Sequence, residues 1–151
     1  MHVSAELPSR PIPIPQRGAI RHLHALGYAT LTEFPLKSGR RADILALSPA
    51  GDVWIVEVKS CLADYRSDRK WPEYAEWCDS LFFAVGPEFP QDVLPSDVGL
   101  LIADAYDGEI VRLPECVPVS AARRKALTLR FARLAALRLM GQEDAFGTAI
   151  S

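Results

Sequence analysis

The chain consists largely of short apolar runs separated by residues typical of turns, and the clearest pair of runs lies at 41–47 and 53–59. The sequences RADILAL and VWIVEVK predict two strands, and the SPAGD segment between them predicts a turn centred on Ala50. Two antiparallel strands folded about Ala50 pair residues whose numbers sum to 100. This register places Asp43 opposite Glu57 on one face of the sheet, with Cβ atoms about 4.5–5.5 Å apart.

The same pattern predicts a single α/β domain around this hairpin. In chain order, the predicted elements are a helix at 16–26, a strand at 28–36, an irregular polar stretch at 61–70, a helix at 73–79, a buried strand at 81–85, a hairpin of strands at 98–105 and 109–113, and a long helix at 119–140. A strand, a helix and a buried strand in succession predict a right-handed parallel crossover. Ser120 is the expected N-cap of the last helix.

The two ends of the chain are expected to lie outside the folded unit. Residues 1–15 are rich in proline and predicted to be flexible, and residues 141–151 are predicted to form a loose tail. The single domain is therefore placed at 16–140.

Composition restricts the function classes. The chain has 151 residues, 49% hydrophobic and 24% charged, which is typical of a globular domain. Its net charge of −2 means that any binding to nucleic acid must rely on local basic groups. The three cysteines lack zinc-ligand spacing and fit a reducing compartment, while the absence of an apolar leader or a membrane-length run predicts a cytoplasmic protein without membrane contact.

Asp43 and Glu57 form the candidate chemical site. Two close carboxylates repel each other unless a cation lies between them, and Mg²⁺ or Mn²⁺ is the expected ion. Lys59 projects from the same face of the strand as Glu57, so the three side chains form a candidate catalytic group. The Val58 carbonyl is a candidate third ligand, and Glu33 is a further candidate if its strand lies beside Asp43. The alternative is an ordinary solvated hairpin end, against which stands the high cost of charges within an apolar strand.

Basic residues flank this hairpin and are the candidate DNA contacts. They are Arg40, Arg41, Arg66, Arg69 and Lys70, with Trp71 beside them. In the predicted register Arg41 lies opposite Lys59, a like-charge pair that a bound phosphate would relieve. Trp71 could stack on a base or fill the core beneath the loop. The basic last helix could be a solvated face or a second DNA-facing flank.

The acid–lysine arrangement resembles the PD-(D/E)XK nuclease superfamily, because Asp43 is followed after thirteen residues by Glu57, Val58 and Lys59 on the next strand. Ala42 replaces the proline that often precedes the first acid in that superfamily. A more specific resemblance, to MmcB-like DNA-repair proteins, runs from about Arg17 to Leu139. It includes LHALGYATLTEFPLKSGRRADILAL, VWIVEVKS, DRKWPEYAEWCDSLFFAV, LPSDVGLLIADA and AARRKALTLRFARLAALR.

The resemblance implies a restriction-endonuclease-like core, in which a mixed central sheet is flanked by helices, and a link to DNA damage. The resulting expectation is a nuclease-like protein that hydrolyses phosphodiesters in DNA repair with Mg²⁺ or Mn²⁺. Its expected partners are DNA and other repair proteins. Two alternatives stay open. One is a catalytically inactive module that binds DNA or a partner, and the other is an enzyme of small phosphate esters.

Overall fold

The structure of the protein is a computed structural model that describes residues 13–150, with side chains described for 13–142. The described elements, in chain order, are α1 (Ile14–Ala25), β1 (Ala29–Pro35), β2 (Arg41–Leu47), β3 (Val53–Lys59), α2 (Leu62–Ser67), a 3-10 helix (Trp71–Trp77), β4 (Ser80–Val85), a short 3-10 turn (Gln91–Val93), β5 (Gly99–Ala103), β6 (Gly108–Arg112) and α3 (Ala121–Ile150). Most of the segment predicted to be flexible, residues 1–12, lies outside the described residues, as does Ser151.

The six strands form one mixed sheet in the order β1 to β6. Strand β2 is antiparallel to both β1 and β3, strands β3, β4 and β5 are parallel to one another, and β6 is antiparallel to β5. Ile44 pairs with Val56 and Leu45 with Ile55, so the predicted register of the β2–β3 hairpin is confirmed. The predicted parallel connection from β3 to β4 is confirmed as well.

Hydrophobic clusters cover both faces of the sheet. One face carries the main core, which includes Phe34, Leu45, Ile55, Phe83 and Phe131, the last of these from α3. The other face is covered by α1, which packs Ala19 and Leu23 against Ile44, Val56 and Phe82. Every residue of β4 is buried, as expected of a central parallel strand.

Asp79 holds the start of α3 against the sheet. Its carboxylate accepts two hydrogen bonds of 2.7 Å from the Arg124 guanidinium, and it also accepts the backbone N–H groups of Val53 and Val119 at 2.7 and 3.0 Å. Ser120 accepts the Arg123 N–H at 3.2 Å, which confirms it as the N-cap. These contacts fix the position of the helix that lies against the main core.

Three predicted elements need correction. The stretch at 61–70 contains the helix α2, because its polar residues form one exposed helical turn. The helix predicted at 73–79 is a 3-10 helix at Trp71–Trp77, where Pro72 occupies the first turn. The tail predicted at 141–151 continues α3 as far as Ile150, since each of the glycines Gly141 and Gly147 costs a helix only about 1 kcal/mol and several of their neighbours are good helix formers. Over the described residues, no helix is long and apolar enough to cross a membrane.

Candidate metal centre

The two predicted metal carboxylates lie where β2 and β3 diverge. The paired ladder ends at Ile44 and Val56, and Asp43 and Glu57 are the next residues on each strand. The Asp43 N–H donates to Glu57 Oε2 at 2.9 Å, and the Val58 N–H donates to Asp43 Oδ2 at 2.8 Å. Each carboxylate thus binds the backbone of the opposite strand, and the two acids are brought together as the register predicts.

Glu57 is costly to ionise in this environment. Its side chain is almost fully buried, at 4% exposure. Burial, followed by the nearby Asp43 carboxylate, raises the pKa of Glu57 to about 8, although the Asp43 N–H and the Lys59 ammonium oppose the shift. A divalent cation bound between the two carboxylates would lower the pKa of Glu57, because its positive charge offsets both the loss of hydration and the repulsion from Asp43.

Lys59 shares the sheet face of Glu57 and is held by a residue that the sequence analysis missed. Its ammonium, on a residue that is 7% exposed, lies 2.5 Å from Asp68 Oδ2. The other Asp68 oxygen accepts the backbone N–H groups of Lys70 and Trp71 at 2.8 and 3.1 Å. Burial opposes ionisation of Asp68, but these hydrogen bonds, foremost that from Lys59, keep its pKa below the ordinary value. An aspartate just before a Trp-Pro turn is a signal that could have identified it.

Tyr74 is a second residue that the sequence analysis did not assign to the site. Its hydroxyl donates to the Arg41 carbonyl at 2.8 Å, which ties the 3-10 helix to the start of β2. Burial, followed by the negative charges of Glu57 and Asp43, raises its pKa. The phenol therefore stays protonated beside the two acids and keeps donating this hydrogen bond.

The other candidate ligands have less direct positions. Glu33 occupies the β1 position opposite Asp43, between the pairs Thr32–Ile44 and Phe34–Ala42, but it is exposed. Among the side chains described at 13–142, no group of three or more His, Cys, Asp or Glu residues could hold a metal ion. A cation would therefore take Asp43 and Glu57 from the protein and fill its other positions with further oxygens. That donor set suits Mg²⁺, which commonly binds one or two carboxylates and keeps several waters. The Val58 carbonyl stays a predicted ligand.

Three of the predicted DNA contacts surround Asp68. Arg66, Arg69 and Lys70 are all exposed, and they define the basic loop, residues 66–70, which comprises the end of α2 and the segment before the 3-10 helix. Arg40 instead forms an ion pair with Glu73 at 3.3 Å. The basic loop is joined to the candidate metal centre through Asp68 and Lys59.

One sequence expectation about this region is wrong, and the structure shows how Trp71 packs. Arg41 and Lys59 do not form a like-charge pair, because the β2–β3 ladder ends before them and Lys59 pairs with Asp68. The choice left open for Trp71 falls on the core, where its ring centroid lies 5.1 Å from that of Phe83 in an edge-to-face contact. Trp71 is half-buried at the edge of the main core, and a contact between it and DNA stays a prediction.

Most basic side chains of α3 are engaged within the domain. Arg123 stacks over the Trp77 ring with 4.1 Å from the guanidinium carbon to the ring centroid, and Arg124 pairs with Asp79. Arg130 and Arg138 donate to backbone carbonyls of β1. The helix is thus less available as a DNA-facing flank than its sequence indicates.

Comparison with known proteins places the chain in a family. None of the curated proteins matches it significantly. A solved structure of a protein of unknown function from Silicibacter pomeroyi is similar to it, with 46% sequence identity and a TM-score of 0.87, over 93% of this chain and 97% of that one. The family model described as DNA repair protein MmcB-like matches residues 4–146. With nearly the whole length matched, this chain belongs to the MmcB-like family of DNA repair proteins.

Proposed function

We propose that this protein is a metal-dependent, nuclease-like protein that hydrolyses phosphodiester bonds of DNA during repair, with Mg²⁺ or Mn²⁺ held by Asp43 and Glu57. One observation carries the proposal: two acids on adjacent strands meet at the end of the β2–β3 ladder, with Lys59 on the same face as Glu57. The family description supports a role in DNA repair. The order of acids, lysine and strands also fits the PD-(D/E)XK pattern and its restriction-endonuclease-like core.

The residues of the site have separable roles. When bound, the metal ion would bind a phosphate oxygen and lower the pKa of a coordinated water. Asp43 and Glu57 would hold it through their negative charge and through carboxylate oxygens from neighbouring strands. Lys59 supplies a positive charge beside Glu57 that can stabilise the negative charge developing on the phosphate, and Asp68 sets the direction of its ammonium.

DNA would reach the site across the basic loop. Arg66, Arg69 and Lys70 are exposed, and the loop leads directly to Asp68. Contacts of arginine and lysine with phosphates position a nucleic acid without reading its sequence. We therefore expect the protein to bind DNA with little dependence on base sequence.

A second candidate is a catalytically inactive module that binds DNA or a partner with the same fold. The observation that favours it is the engagement of the polar groups with each other: Glu57 is buried and Lys59 is ion-paired with Asp68. In that case the acids and the lysine serve only to hold β2, β3 and the basic loop together.

The deciding experiment incubates the protein with single-stranded, duplex, flapped and branched DNA in Mg²⁺, Mn²⁺ or EDTA. We expect cutting that requires the metal and falls by about 100-fold or more in Glu57→Gln, which keeps the side-chain size but removes the charge. Glu109→Gln is the matched control, because Glu109 is an exposed glutamate on the distant strand β6. Metal-independent binding without cutting of any substrate would favour the inactive module instead.

A further inference from the structure

Glu33 has an unusual backbone conformation beside the candidate metal centre. Its φ is +46°, in the left-handed region, and no other non-glycine residue of the described chain has a positive φ. That region is unfavourable for a residue with a Cβ atom and persists only where surrounding contacts hold it. Glu33 lies at the β1 position opposite Asp43.

The irregularity at Glu33 changes which side of the sheet the next residues face. Leu31 and Phe34 both pack in the main core, although regular alternation puts residues three apart on opposite faces. On β2, Ala42 joins the main core with Phe34, while Ile44 faces α1. Both strands therefore change side between these positions.

Asp43 lies at the point where β2 changes side. Its neighbours Ala42 and Ile44 belong to the clusters on opposite faces, and its carboxylate accepts the Val58 N–H of the adjacent strand. That direction brings the Asp43 oxygen to the edge of β3 beside Glu57. The direction of the Asp43 side chain thus depends on the same irregularity that includes Glu33.

Helix α3 supplies the contacts that hold this irregular segment. The half-buried Arg138 donates from Nη2 to the Glu33 carbonyl at 3.1 Å, and Arg130 donates to the Pro35 carbonyl at 3.5 Å. Between them, the ring centroids of Phe131 and Phe34 are 6.2 Å apart. Of these two arginines, Arg138 is the one linked to Asp43, because the carbonyl that it binds belongs to Glu33, the β1 residue opposite Asp43.

We propose that Arg138 is a positioning residue for the metal carboxylate Asp43. By binding the Glu33 carbonyl, it keeps Glu33 in the left-handed conformation and so keeps Asp43 directed at Val58 and Glu57. The metal part of this inference rests on the proposed function, whereas the orientation of Asp43 can be measured without metal. Supporting groups of this kind commonly change metal affinity by about 10–100-fold when they are removed.

The test replaces Arg138 with methionine, which keeps much of the aliphatic stem and removes the hydrogen bond. Arg133→Met is the matched control, because Arg133 is an exposed arginine of the same helix. We expect the Val58 N–H of metal-free Arg138→Met to exchange with solvent about tenfold faster than in the control, while the Phe83 N–H in β4 keeps its protection. Mn²⁺ affinity should fall by about tenfold.

A second substitution separates positioning from general stabilisation. Glycine adopts the left-handed region without cost, so Glu33→Gly added to Arg138→Met should restore most of the Val58 protection and of the Mn²⁺ affinity. Unchanged Val58 exchange in Arg138→Met would overturn the inference. If wild-type protein binds no Mn²⁺ while the exchange results hold, the proposed function fails and the positioning role of Arg138 stands.

Discussion

At the scale of single residues, Glu57 combines burial with a carboxylate neighbour. Without a cation, the folded protein favours its protonated form, since both the loss of hydration and the charge of Asp43 oppose ionisation. A divalent cation between the two carboxylates would remove both causes, and this supports the proposed metal site.

This leads to a prediction for the pH dependence of stability in EDTA. The pKa of Glu57 is raised in the folded state, so its stabilising contribution is complete below the unfolded value and is lost as pH rises through about 8. Between pH 6 and 9 the free energy of unfolding should fall by up to a few kcal/mol, at about 1.4 kcal/mol for each pKa unit. Chemical denaturation at several pH values measures it.

Glu57→Gln is the control for this pH effect, because glutamine keeps the size of the side chain and does not titrate. Its free energy of unfolding should change less over the same pH range. A wild-type curve that rises with pH in this window would contradict the assignment of a raised pKa to Glu57.

At the scale of elements, the crossover from β3 to β4 links the candidate metal centre to the basic loop. Helix α2 and the 3-10 helix meet at Asp68, which holds Lys59 with one oxygen and the loop backbone with the other. Groups that would contact DNA and groups that would act on it are therefore connected through one aspartate.

The double substitution Arg69→Ala with Lys70→Ala should weaken binding to all DNA sequences alike. Each phosphate contact that is lost should flatten the log–log salt dependence of affinity by about one unit. Folding should be nearly unchanged, because exposed charges contribute about 0–1 kcal/mol each. Fluorescence anisotropy over a range of salt concentrations measures both affinity and slope.

The matched control removes the same charge from the opposite face of the sheet. Arg17→Ala with Arg21→Ala changes two exposed arginines of α1, the helix that covers the face away from Glu57 and Lys59. If this pair lowers affinity and slope while the loop pair does not, DNA binds the α1 face. If neither pair matters, the exposed Lys125 and Arg133 of α3 become the next candidates.

At the scale of the whole molecule, the mixed sheet places the candidate site at the end of β3. On one side β3 leaves β2 at the two acids, and on the other it stays paired with β4 as far as Lys59 and Val85. The two acids therefore lie where β3 separates from β2, while the same part of β3 is held by β4 on its other side. Metal binding should act on the stability of the entire domain through this arrangement.

Mg²⁺ or Mn²⁺ should raise the thermal midpoint, because the cation binds the folded state preferentially. At 100 times the dissociation constant the stabilisation is about 2.7 kcal/mol, or roughly 5–10 °C for a domain of this size. Asp43→Asn should abolish the shift and should stabilise the metal-free protein by up to about 1 kcal/mol, since asparagine can still accept the Val58 N–H without repelling Glu57. Differential scanning calorimetry measures both effects.

The exposed Asp92→Asn provides the control for loss of one acidic charge away from the site. It should retain the full metal response. An unchanged response in Asp43→Asn would place the ion elsewhere on the protein.

The sequence alone determined the hairpin and the meeting of its acids. The apolar runs at 41–47 and 53–59 and the short turn centred on Ala50 predict one register, because the position and length of the turn fix how the two strands of a hairpin pair. This register pairs residues whose numbers sum to 100, so it places Asp43 opposite Glu57. The parallel crossover to β4 and the N-cap Ser120 are local patterns of the same kind, and they too were predictable.

Only the tertiary structure decided what surrounds those acids. Asp68 reaches Lys59 across nine positions, and Arg138 reaches Glu33 across 105, contacts that no local pattern encodes. The same holds for Trp71, whose burial depends on Phe83, and for the left-handed backbone at Glu33, where contacts from α3 outweigh an unfavourable local preference. Short-range patterns specify strands and their register, whereas the direction of a side chain depends on partners that the fold brings from elsewhere.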